Sequence, residues 1–188
     1  MEVVGLDPRI GRSHIMPGMP YGGPCLVKDV LAFSRFVLEK TGLDFIEQIH
    51  QLNERVLDEV VVHLEKILGS LQVKNIAILG TAYTTSSPDV RDSQALVLAK
   101  RLLERGTRVH VHDVNQKAVE NAVKELQNIN IIENYEQLND MDSVVIALEY
   151  KEYEEIVRYI NDDVLVVDLT ETIENERIQK FYASPRKG

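Results

Sequence analysis

The spacing of apolar and polar positions divides the chain into two regimes. From residue 29 to residue 68 apolar side chains recur at steps of three and four, the period of a helix with one buried face. Val30, Leu31, Phe33, Val37 and Leu38 form a first stripe, predicting a helix from an Asp29 N-cap to about Lys40, with Gly42 as its stop. Phe45, Ile49, Leu52, Val56, Val60, Leu64 and Ile67 form a second, with Glu47, Gln51, Glu54, Arg55, Asp58 and Glu65 mostly between them. It predicts a helix from Asp44 to Leu68, ended by Gly69. At 1.5 Å per residue that helix would be about 37 Å long, roughly double the average. A helix of that length in so short a chain suits a connection between two domains or packing against a symmetry mate.

After Ser70 the pattern becomes short apolar runs separated by helical stretches. Val73–Gly80, Thr107–Asp113, Asn130–Glu133, Ser143–Leu148 and Val164–Leu169 read as strands. Ser93–Gly106, Gln116–Gln127 and Glu152–Asn161 read as helices between them. Alternating strands and helices imply a parallel sheet with right-handed crossovers. The expected fold class is therefore α/β: a helical segment with a long connecting helix, then a Rossmann-like parallel-sheet domain. The division expected is 1–70 and 71–188. Before this region, Met1 to Lys28 is rich in Gly and Pro and reads as a loop that wraps something. The charged tail beyond Glu171 carries no readable pattern, and the chain has no internal repeat.

Composition narrows the functions. The chain has 188 residues, of which 44% are hydrophobic and 27% charged, the balance of an ordinary globular protein. Its 21 basic and 30 acidic residues give a net charge of -9, which argues against a nucleic-acid platform and against a membrane-surface role. One cysteine excludes an internal disulfide framework and a cysteine-only zinc site. No apolar run approaches the ~18 residues that span a bilayer. Glu2, Asp7 and Arg9 make Met1 to Gly11 unlike a signal peptide, so a reducing, cytoplasmic setting is expected.

Three places carry candidate chemistry. The first strand ends at Gly80-Thr81-Ala82, which is no G-x-G-x-x-G, and its connection to the next helix is about thrice the usual length. Ligands of open α/β sheets sit at such carboxyl-end loops. Asp113, ending the second strand, either contacts a ribose or caps the turn that follows. Arg91 either binds a phosphate or pairs with Asp89 or Asp92. Cys25 follows Gly22-Gly23-Pro24 and precedes a helix, whose N-terminal partial charge favours a thiolate, and Lys28 adds a cation. Its chemistry would be covalent attack on a carbonyl; the alternative is a small buried hydrophobe.

Two blocks resemble one family, the UDP-glucose/GDP-mannose 6-dehydrogenases. Gly5-Leu6-Asp7-Pro8-Arg9-Ile10-Gly11, Pro17-Gly18 and Tyr21-Gly22-Gly23-Pro24-Cys25-Leu26-Val27-Lys28-Asp29 are similar to its D-x-R-I-G … G-[FY]-G-G-S-C-x-x-K-D block. Ile78-Leu79-Gly80-Thr81-Ala82-Tyr83 with Asp89-Val90-Arg91-Asp92-Ser93 is similar to its L-G-x-A-[FY]-K … D-x-R-[ED]-S block. The resemblance covers essentially the whole chain. It implies the latter part of a central dimerisation region followed by a carboxyl-terminal nucleotide-sugar-binding domain, and a homodimer. It implies oxidation of a nucleotide sugar at C6, twice, with NAD as acceptor. Cys25 would be the nucleophile that forms a thiohemiacetal and then a thioester. Asp29 would help position or activate water, with Lys28 beside it. Tyr21, Gly22 and Gly23 would cradle the sugar, Arg9 would reach a substrate bound in the partner subunit, and Arg91 would approach the NAD pyrophosphate.

Departures from the pattern refine these expectations. No G-x-G-x-x-G occurs in the chain, so it is not expected to oxidise nucleotide sugars alone. Pro24 replaces the family's Ser, Thr84 stands where the family has a Lys, and Asp168-Leu169-Thr170 stands where a Gly-Arg pair often follows the last strand. Each lost cation removes charge-assisted hydrogen bonds of ~1.5–3 kcal/mol from a diphosphate site, unless Lys151 or Arg12 compensates. An alternative function follows: a non-catalytic nucleotide-sugar-binding or dimerisation module derived from the same family.

Overall fold

The computed structural model describes residues 2–11 and 18–181. Arg12 and Pro17 lie outside the described residues. A short helix α1 (Glu2–Gly5) opens the chain and is followed by α2 (Leu26–Thr41) and α3 (Phe45–Leu68). Then come β1 (Asn75–Leu79), α4 (Gln94–Glu104), β2 (Arg108–His112), α5 (Gln116–Glu125), β3 (Asn130–Ile131), β4 (Ser143–Ile146), α6 (Lys151–Ile156), β5 (Leu165–Asp168) and β6 (Gln179–Lys180). The six strands form one sheet in the order β3-β2-β1-β4-β5-β6, and every pairing is parallel. The α/β class with a long helix before a Rossmann-like sheet is therefore as expected.

The sheet alternates its side chains between two apolar layers, the period-two consequence of the pleat. Ile76, Ile78, Val109, Val111, Val145 and Val167 face α3 and α4, meeting Leu57, Val60, Val61, Leu64, Leu98 and Leu102. Ala77, Leu79, Val144, Ile146 and Val166 face the other way, onto Leu138, Tyr153, Val157 and Ile160. The carboxyl-terminal half of α3 thus shares one core with the sheet. Its amino-terminal half does not: Phe45, Ile49 and Leu52 on α3, and Phe33, Phe36 and Leu38 on α2, are exposed.

Several expected boundaries shift. Asp29 is not the N-cap of α2; the cap position is Cys25, and Asp29 lies in the first turn with its N–H on the Cys25 carbonyl at 2.9 Å. The opening loop expected through Lys28 is thus cut at both ends, by α1 and by the first turn of α2. Gly42 does close α2, in the left-handed conformation, with its N–H on the Leu38 carbonyl. The strand expected from Val73 begins at Asn75, because Val73 turns with φ 59 and donates to the Gly106 carbonyl. The helix expected over Glu152–Asn161 ends at Ile156 and tightens into a 3-10 turn at Val157–Tyr159. The unreadable tail contributes β6, paired to β5 at Val167↔Gln179 and Asp168↔Lys180.

Candidate functional site

The strand order reverses at β1, which has β2 on one side and β4 on the other. Crevices at such a reversal, outside the carboxyl ends of the strands, are where α/β sheets hold ligands. The loops meeting there are the β1–α4 connection (residues 80–93) and the β4–α6 connection (residues 147–150). They touch closely: a Cβ added to Gly80, which has φ +98, would lie 2.5 Å from Leu148 Cβ.

Asp113 organises these loops from beneath. It is 2% exposed. Its Oδ2 accepts the Thr81 N–H at 2.6 Å, the Ala82 N–H at 3.1 Å and the Thr81 hydroxyl at 3.2 Å. Its Oδ1 accepts the Asn115 N–H at 2.9 Å and the Tyr150 hydroxyl at 3.1 Å. Burial, then the Asp113 charge, pushes the Tyr150 phenol far up, so it stays a proton donor. Of the two readings of Asp113, the structure supports the turn-capping one, because both oxygens are already taken. The Ser93 hydroxyl completes the loop by donating to the Thr81 and Ala82 carbonyls at 2.7 and 3.2 Å.

The cysteine loop lies across this edge. Gly18 sits beside the Leu169 and Thr170 carbonyls, and Met19 packs against the core. Tyr21 is pinned to α3: its N–H donates to Asn53 Oδ1 at 2.9 Å, Asn53 Nδ2 donates to its carbonyl at 3.1 Å, and its hydroxyl meets His50 Nδ1 at 2.7 Å. A Cβ on Gly22 would run into the Asp92 carbonyl oxygen, and one on Gly23, at φ +83, would sit 2.9 Å from the Tyr83 ring. Gly23 donates its N–H to the Asp92 carbonyl at 3.0 Å, so that amide is not available to a sugar. These glycines are required by close packing on the β1–α4 loop. Gln94, 7% exposed at the start of α4, lies against Gly22 with its Oε1 lacking a hydrogen-bond partner.

Cys25 is exposed, at the N-cap position of α2, not sealed in apolar packing. Lys28 and Asp29 pair with each other at 3.6 Å on the first turn, both well exposed. Arg91 is clamped by its neighbour Asp89, Nη2 to Oδ2 at 2.6 Å, so the pairing open in the sequence is with Asp89. These bonds hold the Asp89 carboxyl down at about 2. They also raise the Arg91 guanidinium. The backbone brings Cys25 and Arg91 to one edge: Cys25 lies two residues past Gly23, whose N–H bonds the carbonyl of Asp92, the residue after Arg91. Arg9 is not brought here; it pairs with Asp7 at 2.6 Å on the surface.

At the carboxyl ends of β4 and β5 lies a hollow of about 280 Å³ lined by Leu148, Glu149, Tyr150, Lys151 and Thr172, among others. The positions that lack the expected cations are filled differently. Leu169 is buried, and the Thr170 hydroxyl donates to Asp168 Oδ1 at 2.6 Å. Thr84 Oγ1 lies 3.4 Å from Ser86 Oγ. Lys151 does line the hollow. A dinucleotide cofactor does not fit this sheet. The Thr81 and Ala82 amides that would face a pyrophosphate are spent on Asp113, and α4 starts only at Gln94.

Residues 77–175 match the UDP-glucose/GDP-mannose dehydrogenase family, UDP binding domain, and residues 1–55 match the central domain of the same family. The chain belongs to the UDP-glucose/GDP-mannose dehydrogenase family. Among curated members, it is 34% identical over 191 residues to a UDP-glucose 6-dehydrogenase of Rickettsia felis, covering 95% of this chain and 41% of that one. It is 31% identical over 187 residues to that of Rickettsia prowazekii, at 95% and 43%. The chain thus spans about two fifths of the length of the curated relatives it matches. A UDP-glucose dehydrogenase structure from Pyrobaculum islandicum superposes with a TM-score of 0.80 at 34% identity, over 95% of this chain and 42% of that one. A GDP-mannose dehydrogenase ternary complex from Pseudomonas aeruginosa shares the fold, with a TM-score of 0.71 at 17% identity over 95% and 44%. Among the described residues no helix is long and apolar enough to cross a membrane.

Sequence reasoning missed Asp92, Tyr83, Gln94, Asn53 and His50, which hold the cysteine loop. Asp92 and Tyr83 stood inside a recognised block, but nothing in their identity signals a docking role.

Proposed function

We propose that this chain is the nucleotide-sugar-binding and nucleophile-bearing part of an NAD-dependent UDP-sugar 6-dehydrogenase. The observation that carries the reading is the exposed Cys25 thiol at the head of α2, docked by Gly22 and Gly23 onto the long carboxyl-end loop of a UDP-binding-type sheet. In this reading the nucleotide lies along the carboxyl ends of the strands and C6 of the sugar points at Cys25. Bound NAD would supply the chemistry that accepts two hydrides from C6, which starts as an alcohol; Cys25 would add to the aldehyde left by the first as a thiohemiacetal and hold C6 as a thioester after the second, and water, oriented with help from Asp29 beside Lys28, would release the carboxylate and restore the thiol. The β1–α4 loop offers NAD no free phosphate cradle, its Thr81 and Ala82 amides being bonded to Asp113, and we expect the isolated chain to be inactive. Arg91 reaches toward it, and Arg9 toward a substrate in a partner subunit. Tyr21 holds the sugar loop in place from α3. We assign residues 1–70 to the central region and 71–188 to the nucleotide-sugar domain, and the exposed faces of α2 and α3 to a homodimer contact. The setting proposed is the reducing cytoplasm, where a free thiol persists.

The test is complementation. The chain alone should give no NADH from UDP-glucose and NAD. Mixed with a separately made NAD-binding half of a family enzyme, it should give NADH, and Cys25→Ser should abolish it. Light scattering should report a dimer. The fillings at Thr84, Leu169 and Thr170 favour a second reading, a non-catalytic nucleotide-sugar binder. That reading predicts a UDP-induced rise in melting temperature with no activity on complementation.

A further inference from the structure

Asp92 adopts φ 51, a left-handed backbone that few residues other than glycine take up, aspartate among them. This turn aims its carbonyl at the Gly23 N–H, 3.0 Å away, and the same oxygen fills the space a Gly22 side chain would need. Ser93 fixes the far side of the turn through the Thr81 and Ala82 carbonyls, and Asp89 holds Arg91 on the near side. We propose that Asp92 is a positioning residue whose left-handed backbone, and not its carboxylate, docks the Gly22–Gly23 turn and so holds Cys25 beside the turn that carries Arg91. The inference takes its functional meaning from the reading of Cys25 as nucleophile.

Cys25 is the only thiol in the chain, so its alkylation reports one site. Iodoacetate and iodoacetamide both form an S–C bond with the same thiolate and expel iodide. The ratio of their rates therefore cancels the thiolate fraction and reads the local field, because only iodoacetate is an anion. Asp92→Gly and Asp92→Val remove the same charge, but only glycine accepts the turn without strain. Gly22→Ala changes no charge and drives a methyl into the Asp92 carbonyl. Measured on the full chain, the ratio for Asp92→Gly should equal or exceed that of the unsubstituted protein. For Asp92→Val and Gly22→Ala it should fall by about threefold or more as the loop leaves Arg91. Equal ratios for the glycine and valine variants, or an unchanged ratio for Gly22→Ala, would overturn the proposal. Should Asp92→Val not fold, Gly22→Ala against Asp92→Gly decides it. The assay contains no nucleotide sugar, so its failure leaves the UDP-binding reading standing. Failure to bind UDP, conversely, leaves the docking result intact.

Discussion

Replacing Asp113 with alanine tests whether one buried carboxylate holds the nucleotide loop together. The substitution leaves the Thr81 and Ala82 N–H groups without an acceptor at positions 0% and 2% exposed. Each buried, unsatisfied donor costs about 1–3 kcal/mol. Asn115 and Tyr150 lose a partner too but are only partly buried, so water replaces it at smaller cost. The loss comes to about 2–6 kcal/mol against a native margin of about 5–15 kcal/mol. Asp113→Asn keeps one oxygen and turns an NH₂ toward donors, so it should lose part of that amount. Urea unfolding followed by far-ultraviolet dichroism reads both variants, and the midpoint should fall at constant m-value. An alanine variant within about 0.5 kcal/mol of the parent would refute the reasoning.

Other expectations follow from single sites. Gly80→Ala forces a side chain onto a φ of +98 and places its Cβ 2.5 Å from Leu148 Cβ, so it should lower the melting temperature and weaken UDP binding together. Burial, opposed by the Asp113 charge, lowers His112 below its usual 6.5, and burial with Arg108 lowers His110. The unfolded chain therefore protonates these rings first as pH falls. Stability is full above pH 6.5 and declines as pH drops toward the folded values. His112→Phe should flatten that slope, and an unchanged slope just below pH 6.5 would contradict the assignment. Leu64→Ala, at a site 0% exposed where α3 meets the sheet, should cost about 2–5 kcal/mol by calorimetry.

Much of the fold was legible because burial imposes periods. β1 and β4 sit between layers and read as apolar runs, while Val60 and Leu64 of the expected α3 stripe do lie on the sheet; Leu57, buried beside them, is not in that stripe, and Ile67, which is, lies exposed. What escaped depends on neighbours distant in sequence. β6 is two residues long and exists only by pairing with β5. Asp29 looks like a cap, yet the helix starts a turn earlier, where Cys25 carries no side-chain cap. The site divides in the same way. Cys25, Gly22 and Gly23 announce themselves by type and spacing. The left-handed turn at Asp92 and the carboxylate hub at Asp113 appear only when strands and loops are brought together. The bond from the Gly23 amide to the Asp92 carbonyl is another contact between residues far apart in the chain.

The central idea is that nucleotide and thiol belong to one site, and protection of Cys25 tests it most directly. Iodoacetamide labelling is followed by intact mass with UDP-glucose, with UDP, and with neither. At ten times its Kd, UDP-glucose should slow labelling by about tenfold by mass action, because its C6 would cover the sulfur. UDP, which lacks the sugar, should bind yet leave the rate near that of the free chain. Binding of UDP-glucose with no change in the labelling rate of Cys25 would contradict the account.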